Sequence, residues 1–90
     1  MSTKVHLYSS LQSYTGGQGT VEVEGKNVGD CLQDLVRKHP SLKAELFEND
    51  GKLRSIVFVS VNLNSPNPEK LDKPLSPADE LYLVLIIAGG

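Results

Sequence analysis

The sequence predicts an α+β fold, a mixed four- to five-stranded sheet with one main helix packed across one face. Three observations predict it. Residues 3–9 and 20–24 alternate apolar and polar side chains with the two-residue period of a half-buried strand. Val28, Cys31, Leu32, Leu35 and Val36 recur at the spacing that lines one face of a helix. Residues 56–63 and 81–87 are β-branched, aliphatic and aromatic runs of strand length.

Each element follows in order. In the first strand Val5 and Leu7 face one way and Lys4, His6 and Tyr8 the other. Residues 10–19, rich in Ser, Gly and Gln without a period, predict a long loop before the second strand. Asn27 is placed to cap the helix, Asp30 to reach back toward its start, and His39-Pro40 to end it. Residues 42–47 carry a weaker helical pattern, and Asn49-Asp50-Gly51 is a turn signal. In the third strand Val57, Val59, Val61 and Leu63 are expected on one face. Residues 62–77 hold four of the five prolines, which predicts an irregular surface crossing pinned by Leu75. Pro77-Ala78-Asp79 suits a tight turn into the last strand, where Leu81, Leu83 and Leu85 alternate against Tyr82, Val84 and Ile86. Residues 1–90 read as a single domain with a flexible tail over 86–90.

Composition narrows the function. With 39% hydrophobic and 22% charged residues the chain has an ordinary globular composition. A net charge of -2 with scattered Lys and Arg gives no footprint for a phosphate backbone, so nucleic acid is not an expected partner. The apolar run 81–88 is far shorter than the ~20 residues that cross a bilayer as a helix, so no membrane association is expected. The N-terminus shows no export signal, and the single cysteine, Cys31, excludes an internal disulfide, which points to a reducing cytoplasm. Cys31 lies on the apolar stripe and is expected to pack rather than react. His6 and His39 are far apart and are expected to be solvated, and no metal site is expected. The segment Gly16-Gly17-Gln18-Gly19 lacks the Lys-Ser/Thr pair of a phosphate-binding loop.

The ending Gly89-Gly90 carries the chemistry. At a usage of ~7%, paired glycines close about one chain in 200 by chance. They follow directly on a strand, where no turn or cap asks for glycine. A carboxylate that must enter another protein's narrow active site needs a thin, flexible stalk, and glycine alone lacks a Cβ.

The segments Val28-Gly29-Asp30-Cys31-Leu32-Gln33-Asp34-Leu35, Val61-Asn62, Pro74-Leu75, Ala78-Asp79-Glu80-Leu81 and Ala88-Gly89-Gly90 resemble the MoaD and ThiS family of sulfur carriers. The closing segment is also similar to that of ubiquitin, with apolar residues where ubiquitin has arginines. The Thr15-Gly16-Gly17-Gln18 loop and the Gly51-Lys52-Leu53 stretch are more similar to carriers that feed cysteine synthesis. The resemblance implies the β-grasp fold, in which the first and last strands lie side by side in the centre of the sheet. It implies that the chain is not itself an enzyme and binds no cofactor. A ubiquitin-activating-type adenylyltransferase would use its own ATP to convert the Gly90 carboxylate, presented on Gly89, to an acyl adenylate and then a thiocarboxylate. The sulfur acceptor would be a cysteine-synthase-like enzyme, a molybdopterin synthase large subunit or a thiazole synthase. The alternatives are a ubiquitin-like modifier joined to lysines through Gly90, the small subunit of a molybdopterin synthase, and a plain interaction module.

Alternation also predicts where a partner docks. With the helix covering the face of Val57, Val59, Val61, Leu81, Leu83 and Leu85, the residues Phe58, Tyr82, Val84 and Ile86 are sent to the opposite face as an apolar patch. Ile87 and Ala88 continue it toward the tail, and residues 86–90 span at most about 16 to 18 Å when extended.

Overall fold

The computed structural model describes residues 2–63 and 70–85. Four strands form one sheet: β1 (Ser2–Leu7), β2 (Thr20–Glu24), β3 (Val57–Val61) and β4 (Glu80–Leu85). Their order is β2-β1-β4-β3. β1 pairs antiparallel with β2 and parallel with β4, and β3 pairs antiparallel with β4. The first and last strands are therefore the central pair, the β-grasp arrangement expected by analogy.

The long helix α2 (Val28–Lys38) covers one face of the sheet. All five residues of its predicted stripe are buried. They share one buried core with Val5, Val23, Val59, Leu81 and Leu83, which are among the inward residues of the four strands. Burying each such aliphatic side chain contributes roughly 1.5–3 kcal/mol, so this interface is the main source of stability. Among the described residues no helix is long and apolar enough to cross a membrane.

Local rules account for the start of α2. The Asn27 side chain accepts from the Asp30 N–H at 2.7 Å, and the Asp30 carboxylate in turn accepts from the Lys26 N–H at 3.4 Å. Two further helix N–H groups are satisfied from far along the chain. Val28 donates to the Lys73 carbonyl at 3.0 Å and Gly29 to the Leu71 carbonyl at 2.7 Å. The crossing segment thus caps the helix, and Leu71 and Leu75 pack their side chains against the core. Gly29 permits that approach, because a Cβ there would stand 3.0 Å from the Leu71 oxygen.

Two expectations are corrected. Residues 10–19 are not simply a loop: helix α1 (Ser9–Gln12) and a 3-10 turn (Ser13–Thr15) occupy most of the segment. Leu11 in α1 is fully buried, which anchors the connection to the core. Leu63 does not share the inner face of β3, because the strand ends at Val61 and both Asn62 and Leu63 have positive φ, 56° and 59°. That reversal turns Leu63 outward, 68% exposed. The weak pattern at 42–47 becomes a 3-10 turn (Pro40–Leu42) followed by a single turn of helix, α3 (Lys43–Leu46).

Candidate functional site

The start of β4 sets the geometry of the site. Asn62, just past β3, donates its side-chain amide to the Asp79 carboxylate at 2.8 Å and accepts from the Glu80 N–H at 2.8 Å. Its own N–H donates to the Glu80 carbonyl at 2.9 Å. The second Asp79 oxygen accepts from the Ser76 N–H at 2.8 Å. The Ser76 N–H, the Asn62 amide and the more distant Lys73 charge hold the Asp79 carboxyl below the usual carboxylate range. These contacts fix the register in which β4 enters the sheet. The Asn62 and Asp79-Glu80 segments thereby acquire a structural role: they aim the last strand.

Once β4 is in register, alternation decides what each face presents. Val57, Val59, Leu81 and Leu83 point inward and are buried, while Leu85 is partly buried against the core. Phe58, Tyr82 and Val84 lie on the outer face, with Phe58 paired to Val84 and Ser60 to Tyr82. The three are not equally open: Val84 is 37% exposed, whereas Phe58 and Tyr82 are half-buried. The predicted residues Ile86, Ile87, Ala88, Gly89 and Gly90 lie outside the described residues.

Tyr82 is partly covered because His6 stacks on it, with ring centroids 4.4 Å apart and planes 13° from parallel. The expectation of a solvated His6 is therefore corrected. Its Nε2 meets the Glu80 carboxylate, and its Nδ1 lies 3.2 Å from the Thr20 hydroxyl. Both ring nitrogens are thus engaged by side chains of the neighbouring strands. The signal was present in the sequence, since His6 and Tyr82 both fall at outward positions. Seeing it required the parallel register of β1 and β4.

Cys31 is fully buried on α2, and burial pushes its thiol up, against a smaller opposing effect from a hydrogen bond with Thr3. A buried, poorly ionised thiol is a weak nucleophile. His39 ends α2 and its backbone N–H donates to the Leu35 carbonyl at 2.9 Å. Among the described residues no group of three or more His, Cys, Asp and Glu side chains could hold a metal ion. An open groove of about 1060 Å³, lined by Thr3, Gly25, Asp30, Asp34 and Pro77 among others, sits where β1 and β4 begin. It is at the opposite end of the parallel pair from Leu85 and so does not contribute to the outer-face arrangement.

Known proteins share this organisation. The model of the ThiS family matches residues 5–90. Small archaeal modifier protein 1 of Haloferax volcanii is 33% identical over 86 residues, which cover 93% of this chain and 95% of that protein. Sulfur carrier protein CysO of Mycobacterium tuberculosis is 26% identical over 93 residues, covering 100% of both. The crystal structure of the Haloferax protein superposes with a TM-score of 0.86 at 31% identity, covering 100% of both chains. A chain of the Amycolatopsis orientalis BexX/CysO complex gives 0.81 at 28% identity, covering 98% of this chain and 99% of that one. A family match that runs from within β1 through the other three strands to the Gly89-Gly90 ending leaves one assignment: the chain belongs to the ThiS family of ubiquitin-like β-grasp proteins.

Proposed function

We propose that the protein is a sulfur carrier that acts in the cytoplasm as a substrate of partner enzymes, and that Gly90 at the end of the 86–90 tail is its reactive residue. The observation that carries this reading is the family match running through Gly89-Gly90, together with the full-length similarity to a sulfur carrier protein. A Gly90 carboxylate oxygen attacks the α-phosphorus of ATP held by a ubiquitin-activating-type adenylyltransferase, and pyrophosphate leaves. Hydrosulfide then attacks the acyl carbon, AMP leaves with the bonding electron pair, the thioacid loses its proton, and a thiocarboxylate remains. Positioning and charge neutralisation for the first step belong to the partner and its metal ion. This chain supplies the acyl group, the thin stalk and a surface to grip. That surface is the outer face at Phe58, Tyr82 and Val84, and Ile86, Ile87 and Ala88, next in the sequence, are assigned to partner binding with it.

Intact mass after incubation with the adenylyltransferase, ATP and a sulfur source is the test. One terminal oxygen should be exchanged for sulfur, and a chain lacking Gly90 should stay folded and unreacted. If neither a thiocarboxylate nor an acyl adenylate ever forms, the reading is wrong. Replacing Phe58 and Val84 together by Ser should weaken binding to the adenylyltransferase while leaving the fold intact.

A second reading is favoured by the 33% identity to a modifier protein: Gly90 joined to lysines through an isopeptide bond. Both readings pass through the same adenylate. They separate by product, a free thiocarboxylate against conjugates of higher mass that vanish when Gly90 is removed.

A further inference from the structure

The outer face carries an arrangement that the chemistry of the tail does not use. His6 and Tyr82 lie in register across the central parallel pair, and their rings stack. The imidazole is tethered at both nitrogens, to the Glu80 carboxylate and to the Thr20 hydroxyl, by residues on the strands to either side. A single tether would leave the ring free to swing about it, whereas two opposed tethers fix its place and its plane. The neighbouring outward residues of the same half of the sheet, Lys4 and Glu22, are exposed. On the other flank of Tyr82, in register with it, the buried Ser60 hydroxyl has no hydrogen-bond partner among the described residues. The Tyr82 ring is thus set in one plane, next to Val84 along β4 and to Phe58 across the ladder.

We propose that His6 is a positioning residue for docking: it holds the Tyr82 ring as a preset flat platform beside Phe58 and Val84. The inference rests on the docking of the adenylyltransferase on this face and deepens it. An aromatic side chain ordered during folding loses no further rotational freedom when a partner arrives. Ordering one side chain in advance is worth about two- to tenfold in affinity.

The test compares wild type with His6→Ala and His6→Phe, using the ubiquitin-activating-type adenylyltransferase of the same organism. Affinity is measured by titration calorimetry at a temperature where thermal melts show every variant folded. His6→Ala should bind about two- to tenfold more weakly. His6→Phe keeps a ring to stack on Tyr82 but has no tethers, and should recover part of the loss. In the activation assay the loss should appear in KM for this chain and leave kcat unchanged. A lower melting temperature with wild-type affinity in both variants would show a purely structural role and overturn the inference. The Phe58→Ser, Val84→Ser double variant separates the two levels. Unchanged affinity there overturns the docking reading and the role of His6 with it, whereas weakened affinity there with unaltered His6→Ala binding overturns the role of His6 alone.

Discussion

Cys31 carries the chain's only thiol, and packing claims it. Its position on the apolar stripe was readable from spacing, because helical periodicity is local and the burial of α2 follows from it. Cys31→Ala should therefore retain full thiocarboxylate formation and lose about 1 kcal/mol of stability, measured by denaturant unfolding. Loss of activation in a folded Cys31→Ala protein would count against the buried, inert role. His6 was legible only in part, since nothing in its local sequence announces a ring stacked on a residue 76 positions later. Two carboxylates carry a pH signature. The Glu24 N–H and the Arg37 guanidinium hold Asp34 below its ordinary range, and the Ser76 N–H and the Asn62 amide do the same for Asp79. A carboxyl depressed in the folded state binds its proton more tightly when unfolded. The stability it contributes is present above the unfolded value and is lost as pH falls through the folded one. Unfolding measured at about pH 7 and about pH 3 should show a smaller acid loss in Asp34→Asn and Asp79→Asn than in wild type.

Among the elements, the beginning of α2 combines what a sequence can announce with what it cannot. Asn27 and Asp30 form a local cap whose residue types and spacing give it away. The carbonyls of Leu71 and Lys73, which satisfy Gly29 and Val28, come from a proline-rich stretch whose path no local rule specifies. Leu11 is illegible from sequence for a similar reason: one apolar residue among Ser, Gln and Gly has no period, and its burial exists only once the core is assembled. Asn27→Ala should cost about 1 kcal/mol, read as a fall in melting temperature. Gly25→Ala should cost more, about 1–3 kcal/mol, because the new Cβ would stand 2.6 Å from the Cys31 nitrogen and 2.7 Å from the Asp30 Cβ. The nearest obstruction is backbone and cannot swing aside. A Gly25→Ala protein as stable as wild type would mean that the turn between β2 and α2 relaxes freely.

For the molecule as a whole, element order and type were readable from pattern, but the sheet order needed a fold analogy. Alternation states which side chains share a face and is silent on which strand lies beside which. The parallel pairing of β1 with β4 joins Lys4 to Glu80 and Leu7 to Leu83, so the two ends of the described chain hold the sheet together. A chain stopped at residue 79 should lack a native circular-dichroism spectrum and a cooperative melt, since β2 with β1 and β3 would be left as two separate pieces around an incomplete core. The same pairing has a consequence during synthesis. Of the described strands β4 comes last along the chain and is a central one, so the fold cannot close around its core while the ribosome still holds β4. An interrupted or prematurely terminated chain stays open to proteolysis, and folding itself acts as a proofreading step that admits only chains translated through β4.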